Sequence, residues 1–102
     1  MHDRSLRLVW LVYDISSDRV RTRLAARCQA AGLERVQQSV WMGMVDPSRL
    51  DELLLECEAQ VDPSTDSVYA FPFRRSEFDA ARVVGAALDR VRILNEEILR
   101  WR

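Results

Sequence analysis

In "LVWLVYDISS", residues 8–17, six apolar side chains run straight into one carboxylate, Asp14. Two serines follow, and then arginines at 19, 21, 23 and 27. A strand-end carboxylate beside guanidiniums suggests two kinds of chemistry. Its oxygens suit a hard divalent cation. The planar forks of arginine take phosphate oxygens in pairs. Both fit a ligand built from phosphodiesters. The plainer role for Asp14 is a turn residue, accepting backbone N–H groups from residues 16 and 17.

On a helical wheel begun at Arg19, Arg23 lies about 40° and Arg27 about 80° round. These three form a basic stripe near the solvent side. Arg21 falls at about 200°, beside the apolar set, where a guanidinium must snorkel or pair. From there it can reach the cleft beside Asp14 and hold a phosphate. Arg35, just before the second strand, is a further phosphate candidate. Other chemistries find little support. The only histidine, His2, sits at the chain start, so histidine-based nucleophilic or zinc chemistry is not expected. Cys28 and Cys57 fall on the apolar sides of two helices and read as core residues of a reducing compartment.

The elements that must position these residues follow from local pattern. Leu6 to Tyr13 is apolar on both faces, as in a central strand. Ser16 or Ser17 caps a helix carrying Val20, Leu24, Cys28 and Ala31 on one stripe, and Gly32 stops it. Residues 33–45 hold β-branched and aromatic side chains without helical period, so they form one bent strand or two short ones. Asp46 and Pro47 open a second helix, with Leu50, Leu53, Leu54, Cys57 and Val61 facing inward. After a turn at 62–66, residues 67–73 make another strand, which Pro72 ends or confines to an edge. The order is β-α-β-β-α-β, a ferredoxin-like α+β arrangement in one domain, 1–102. Residues 77–94 suggest a helix, weakened by Gly85, and residues 97–102 a last strand.

Composition agrees. The chain has 102 residues, 48% hydrophobic and 30% charged, with net charge −1. Its longest strongly apolar run, Leu8 to Tyr13, is far short of a membrane span, and no signal peptide is expected. All of its basic residues are arginine, and they cluster toward the two ends. Residues 1–35 carry +3, residues 36–66 carry −6 and residues 67–102 carry +2.

"VYDISSDRVRTRL" followed by "GLERVQQSVWMG" resembles the CRISPR-associated protein 2 family, the small proteins of spacer acquisition. The matching positions are Tyr13, Asp14, Ile15, Asp18, Arg21, Arg23, Gly32, Arg35, Val36, Gln37, Ser39, Val40, Trp41 and Gly43. The likeness is good over the core, 6–74, and thins beyond it. Trp41 stands where the family usually has Phe, and Gln38 where an aromatic is common.

The resemblance implies a cytoplasmic ferredoxin-like homodimer with an extra C-terminal strand, the extension 75–102 pairing with the partner subunit. It implies that Asp14 and Asp14 of the partner subunit hold Mg²⁺ or Mn²⁺ together, with Asp14 as the catalytic residue. Arg21, Arg23 and Arg35 would bind nucleic acid, DNA or RNA. Ser39 and Trp41 would lie near the site or the dimer seam, although Trp41 reads equally well as core. Two such carboxylates about 5 Å apart repel by roughly 3 kcal/mol at an effective dielectric near 20, a cost that a shared cation removes. The expected function is a dimeric nucleic-acid scaffold of the spacer-integration complex, alongside the integrase CRISPR-associated protein 1. A metal-dependent endonuclease is the second expectation, and an mRNA-cleaving toxin on the same fold the third.

Overall fold

The computed structural model describes residues 6–88, 90 and 91. Its elements are β1 (Arg7–Asp14), α1 (Asp18–Ala30), β2 (Glu34–Gln37), β3 (Val40–Val45), α2 (Pro47–Gln60), β4 (Ser67–Phe73) and a short α3 (Arg75–Ala80). The four strands form one antiparallel sheet in the order β2-β3-β1-β4. This is the ferredoxin-like arrangement expected. The last strand expected at 97–102, which would pair with a partner subunit, falls outside the described residues, as does His2.

β1 is central, which explains its two apolar faces. Val9, Leu11 and Tyr13 are buried on one side at 0%, 0% and 3% exposure. With Ile15, the last two join Leu24, Cys28, Leu33, Trp41, Leu53 and Cys57 in the core beneath α1 and α2. By the two-residue alternation of a strand, Leu8, Trp10, Val12 and Asp14 point to the opposite face. There Leu8, Val36 and Met42 pack with Phe78 and Ala87 of the C-terminal segment.

Capping chemistry sets the helix limits. The Ser17 side chain accepts from the Val20 N–H at the start of α1. At its end the Leu33 N–H reaches the Cys28 carbonyl and the Gly32 N–H the Gln29 carbonyl, with Gly32 at φ 97°. This paired closure needs the left-handed conformation that glycine adopts freely. Asp46 caps α2 by accepting from the Ser48 N–H at 2.8 Å, with Pro47 directly after it.

Residues 33–45 resolve into two strands, β2 and β3, joined by a turn at 38–39 with a register irregularity between Arg35 and Gln37. β4 keeps Pro72 within it and lies at a sheet edge, where a missing N–H is tolerated. The helix expected from residue 77 onward is broken. α3 ends at Ala80, Ala81 is extended with ψ 144°, and the chain turns at Gly85 with φ 100°. Among the described residues, no helix is long and apolar enough to cross a membrane.

Candidate metal and nucleic-acid site

Asp14 is the last residue of the central strand and pairs with Ser67 of β4. Its side chain is exposed, and among the described residues no hydrogen bond or ion pair engages its carboxylate. The turn role is filled instead by a residue fifty positions away. Asp66 Oδ1 accepts from both the N–H and the hydroxyl of Ser16 at 3.1 Å. Its Oδ2 accepts from the Asp62 N–H at 2.9 Å, and the Thr65 hydroxyl adds a further bond. These bonds, led by those from the Asp62 and Ser16 amides, hold the Asp66 carboxyl below its ordinary pKa. Asp66 is therefore spent on fastening the α2–β4 loop to the β1–α1 turn. It does not supply Asp14 with a second ligand.

Arg21 does pair, as its position on the wheel required. Its guanidinium donates to the Ile15 carbonyl and meets the Asp18 carboxylate. In the protomer it orders the turn that leaves Asp14, and it is not presented as a free phosphate fork. Arg23 reaches across to α2, donating to Gln60 Oε1 at 2.8 Å, and Arg27 meets Glu56 at 3.3 Å. The basic stripe of α1 is thus partly neutralised by α2. Arg35 sits over the Trp41 ring, 4.9 Å from its centre. Arg35 and Trp41 face each other in the β2–β3 register.

Trp41 is 4% exposed in the core on the helix side, and its Nε1–H donates to the Tyr13 hydroxyl at 3.1 Å. It pairs with Leu11, so its ring lies on the opposite face of the sheet from Asp14. Within the single chain Trp41 is thus a core residue on the helix side. The reason is strand parity: Asp14 is three positions beyond Leu11, and an odd step changes face. Ser39 is nearer the site, since its carbonyl accepts from the Tyr13 N–H at 3.1 Å.

On the Asp14 face, β1 and β4 place Val12 opposite Tyr69 and Trp10 opposite Phe71. Tyr69 and Phe71 are 50% and 52% exposed. Their rings stack 6.1 Å apart within 5° of parallel. Sequence reasoning missed this open aromatic pair. The alternation of Tyr69, Phe71 and Phe73 on one face of a strand was its available signal.

A fit to metal can be judged from these donors. Among the described residues, no group of three or more His, Cys, Asp or Glu gathers in one place. Asp14 offers one uncommitted carboxylate per protomer. That donor set suits Mg²⁺ or Mn²⁺ only if a second chain contributes.

The fold and site define a small α+β protein with an exposed carboxylate ending its central strand and an open aromatic face beside it. The sequence model of the family described as CRISPR associated protein Cas2 matches residues 7–81, and the chain belongs to that family. It is 32% identical over 77 residues to the CRISPR-associated endoribonuclease Cas2 2 of Pyrobaculum aerophilum, covering 76% of this chain and 85% of that one. Over 79 residues it is 30% identical to the protein of the same name from Chloroflexus aurantiacus, covering 78% and 93%. A crystal structure of Streptococcus pyogenes Cas2 shares the fold with a TM-score of 0.67 at 22% identity, over 76% of this chain and 99% of that one.

Proposed function

We propose that this chain acts in CRISPR adaptation as a homodimeric, nucleic-acid-binding protein, in which Asp14 and Asp14 of the partner subunit hold Mg²⁺ or Mn²⁺ for cleavage of RNA or DNA phosphodiesters. The observation that carries this reading is an exposed, uncommitted Asp14 on a sheet face that also exposes Tyr69 and Phe71. An exposed aromatic pair beside a lone carboxylate suits a self-complementary seam with the acid near its axis. The names of the two relatives above support endoribonuclease chemistry.

The ion, when bound, would neutralise phosphoryl charge and lower the pKa of a bound water. The chain's own residues do the rest. Arg21 and Asp66 fix the turns around Asp14. Arg23 and Arg35 offer exposed guanidiniums toward the backbone of the nucleic acid. No histidine or spare carboxylate beside Asp14 serves as a general base among the described residues. This favours a second reading, in which the dimer is a scaffold for duplex DNA and the integrase CRISPR-associated protein 1.

One assay separates the two: cleavage of RNA and of duplex DNA with Mg²⁺ or chelator, wild type beside Asp14→Asn. The nuclease reading expects chelator-sensitive cleavage that falls at least a hundredfold in Asp14→Asn, because a charged ligand is lost. Equal cleavage by both proteins sinks the metal assignment. No cleavage by either, with tight DNA binding by both, leaves the scaffold.

A further inference from the structure

At the far edge of the sheet from β4, an open cleft of about 260 Å³ lies between β2 and the C-terminal segment. Arg35, Val36, Gln37, Gln38, Ala86 and Arg90 line it. Two arginines face it, and among the described residues neither has a carboxylate within ion-pair distance. Each is held at one end only. Arg35 lies over Trp41 at 4.9 Å, and Arg90 donates through one NH group to the Arg35 carbonyl at 3.1 Å. Among the described residues, the remaining N–H groups of both forks meet no hydrogen-bond partner. A guanidinium already fixed by a ring or a carbonyl loses less freedom when it takes a ligand. Gln37 and Gln38 are exposed at the same rim, and their amides can both donate and accept.

Topology links the cleft to Asp14. The Gln38–Ser39 turn lies at the end of the sheet where β1 finishes, since the Ser39 carbonyl bonds to the Tyr13 N–H. β2 is two strands from β1, roughly 10 Å at the usual strand spacing, and Arg35 is level with Leu11 through Trp41, roughly 10 Å along the strand from Asp14, so the two points lie roughly 14 Å apart. A nucleic-acid strand rising about 3.4 Å per nucleotide covers that in about four nucleotides.

We infer that this cleft is a phosphate subsite for single-stranded nucleic acid, with Arg90 and Arg35 gripping one backbone phosphate about four nucleotides from Asp14 and Gln37 and Gln38 meeting the adjoining base. This rests on the nucleic-acid-binding reading above, and it adds Arg90, Gln37 and Gln38 to the contacts. Amides at that rim match the hydrogen-bonding edges of an unpaired base. Two neutral amides beside two uncommitted guanidiniums suit one phosphate and one base better than a purely ionic ligand.

The test is fluorescence anisotropy with a labelled single-stranded RNA over a salt series, using wild type, Arg90→Ala, Arg90→Lys and Gln38→Ala. Thermal unfolding of each variant checks the fold. Arg90→Ala is expected to weaken binding roughly threefold to tenfold and to lower the log–log salt slope by about 0.7, the loss of one phosphate contact on a single strand. Arg90→Lys keeps the slope while losing part of the affinity. Gln38→Ala, which leaves the C-terminal segment untouched, keeps the slope and narrows the difference between adenine-rich and uracil-rich strands. An unchanged slope in Arg90→Ala overturns the subsite, and so does a slope in Arg90→Lys as low as in Arg90→Ala. If wild type shows no salt-dependent binding, the function proposed above falls and takes the subsite with it. If wild type and Asp14→Asn cleave equally, only the metal assignment falls, and the Arg90 result stands.

Discussion

The two faces of the sheet are built to different standards. The helix-covered face is closed. Leu11, Leu24, Leu53 and Cys57 are at most 2% exposed there, and the indole N–H of Trp41 finds the Tyr13 hydroxyl. The other face is only partly covered. Phe78 and Ala87 shield Leu8 and Met42 at one end, while Tyr69 and Phe71 stay half-exposed nearer Asp14. Burial on the first face stabilises the protomer. The apolar area left on the second is available for association. The difference assigns folding to one side of the sheet, and on the homodimer proposed above it leaves the other side for a second copy.

Breaking each face in turn gives the largest contrast. Leu24→Ala should lower protomer stability by about 2–5 kcal/mol, since it leaves a cavity in a closed core. Urea unfolding checks this. Tyr69→Ser with Phe71→Ser should change protomer stability by only about 1 kcal/mol or less, because these side chains are half in water already. On the homodimer proposed above, sedimentation should nevertheless show the double variant shifted toward monomer relative to wild type. If the double variant remains a tight dimer, the seam does not run through this face.

This contrast also marks what the sequence made legible. β1, α1 and α2 were readable because their signals are local: an apolar run, the stripe of Leu24 and Cys28, the Gly32 stop, and the Asp46–Pro47 start. The β2–β3 hairpin stayed ambiguous because its turn, Gln38–Ser39, holds none of the Gly, Asn or Pro that usually announce one. Arg21 could be marked as a residue that must pair, yet one of its partners, the Ile15 carbonyl, belongs to a turn whose shape only the fold defines. In the sequence Asp66 is simply part of a turn. Its bonds to Ser16 cross fifty residues of chain, and no local pattern encodes them. The cleft at Arg90 depends on how the segment after α3 folds back. There the uniform helix expected from the sequence gave way to extended backbone at Ala81 and a positive φ at Gly85.

The closed face also carries a pH signature. Burial pushes the Cys28 thiol up to about 12, with Cys57 adding to the shift and Arg35 opposing it. Burial likewise raises Cys57 to about 11. In both cases the folded value lies above the ordinary 9.0. The unfolded chain therefore releases protons first as pH rises. The stability these neutral thiols contribute is fully present below pH 9 and is lost as pH climbs through the folded values. Urea midpoints at pH 8 and pH 10.5 should differ, and Cys28→Ala should reduce that difference. The native thiols should also resist alkylation at pH 8, since the thiolate is the nucleophile. Rapid modification of folded protein would contradict a closed core on this side.

The smallest effect expected lies at the Asp14 end, where the two faces meet. Asp66 is exposed, yet its carboxylate ties the Asp62 and Ser16 amides together. Those bonds favour the charged form and lower its pKa. A depressed carboxylate contributes stability above its ordinary pKa, which is lost as pH falls through the lower, folded value. The loss should therefore begin only below about pH 4, well clear of the alkaline thiol effect. Because water screens an exposed group, global stability should barely change in Asp66→Ala. The local change should be visible in hydrogen exchange: the Ser16 and Asp62 amides should exchange several-fold faster than in wild type, while those of β1 at Val9 and Leu11 stay protected. Asp66→Asn, which keeps one acceptor oxygen, should fall between the two. If Ser16 exchange does not change in Asp66→Ala, the turn beside Asp14 is held by Arg21 alone. The Asp14 carboxylate would then owe its placement to the central strand and α1, without help from the α2–β4 loop.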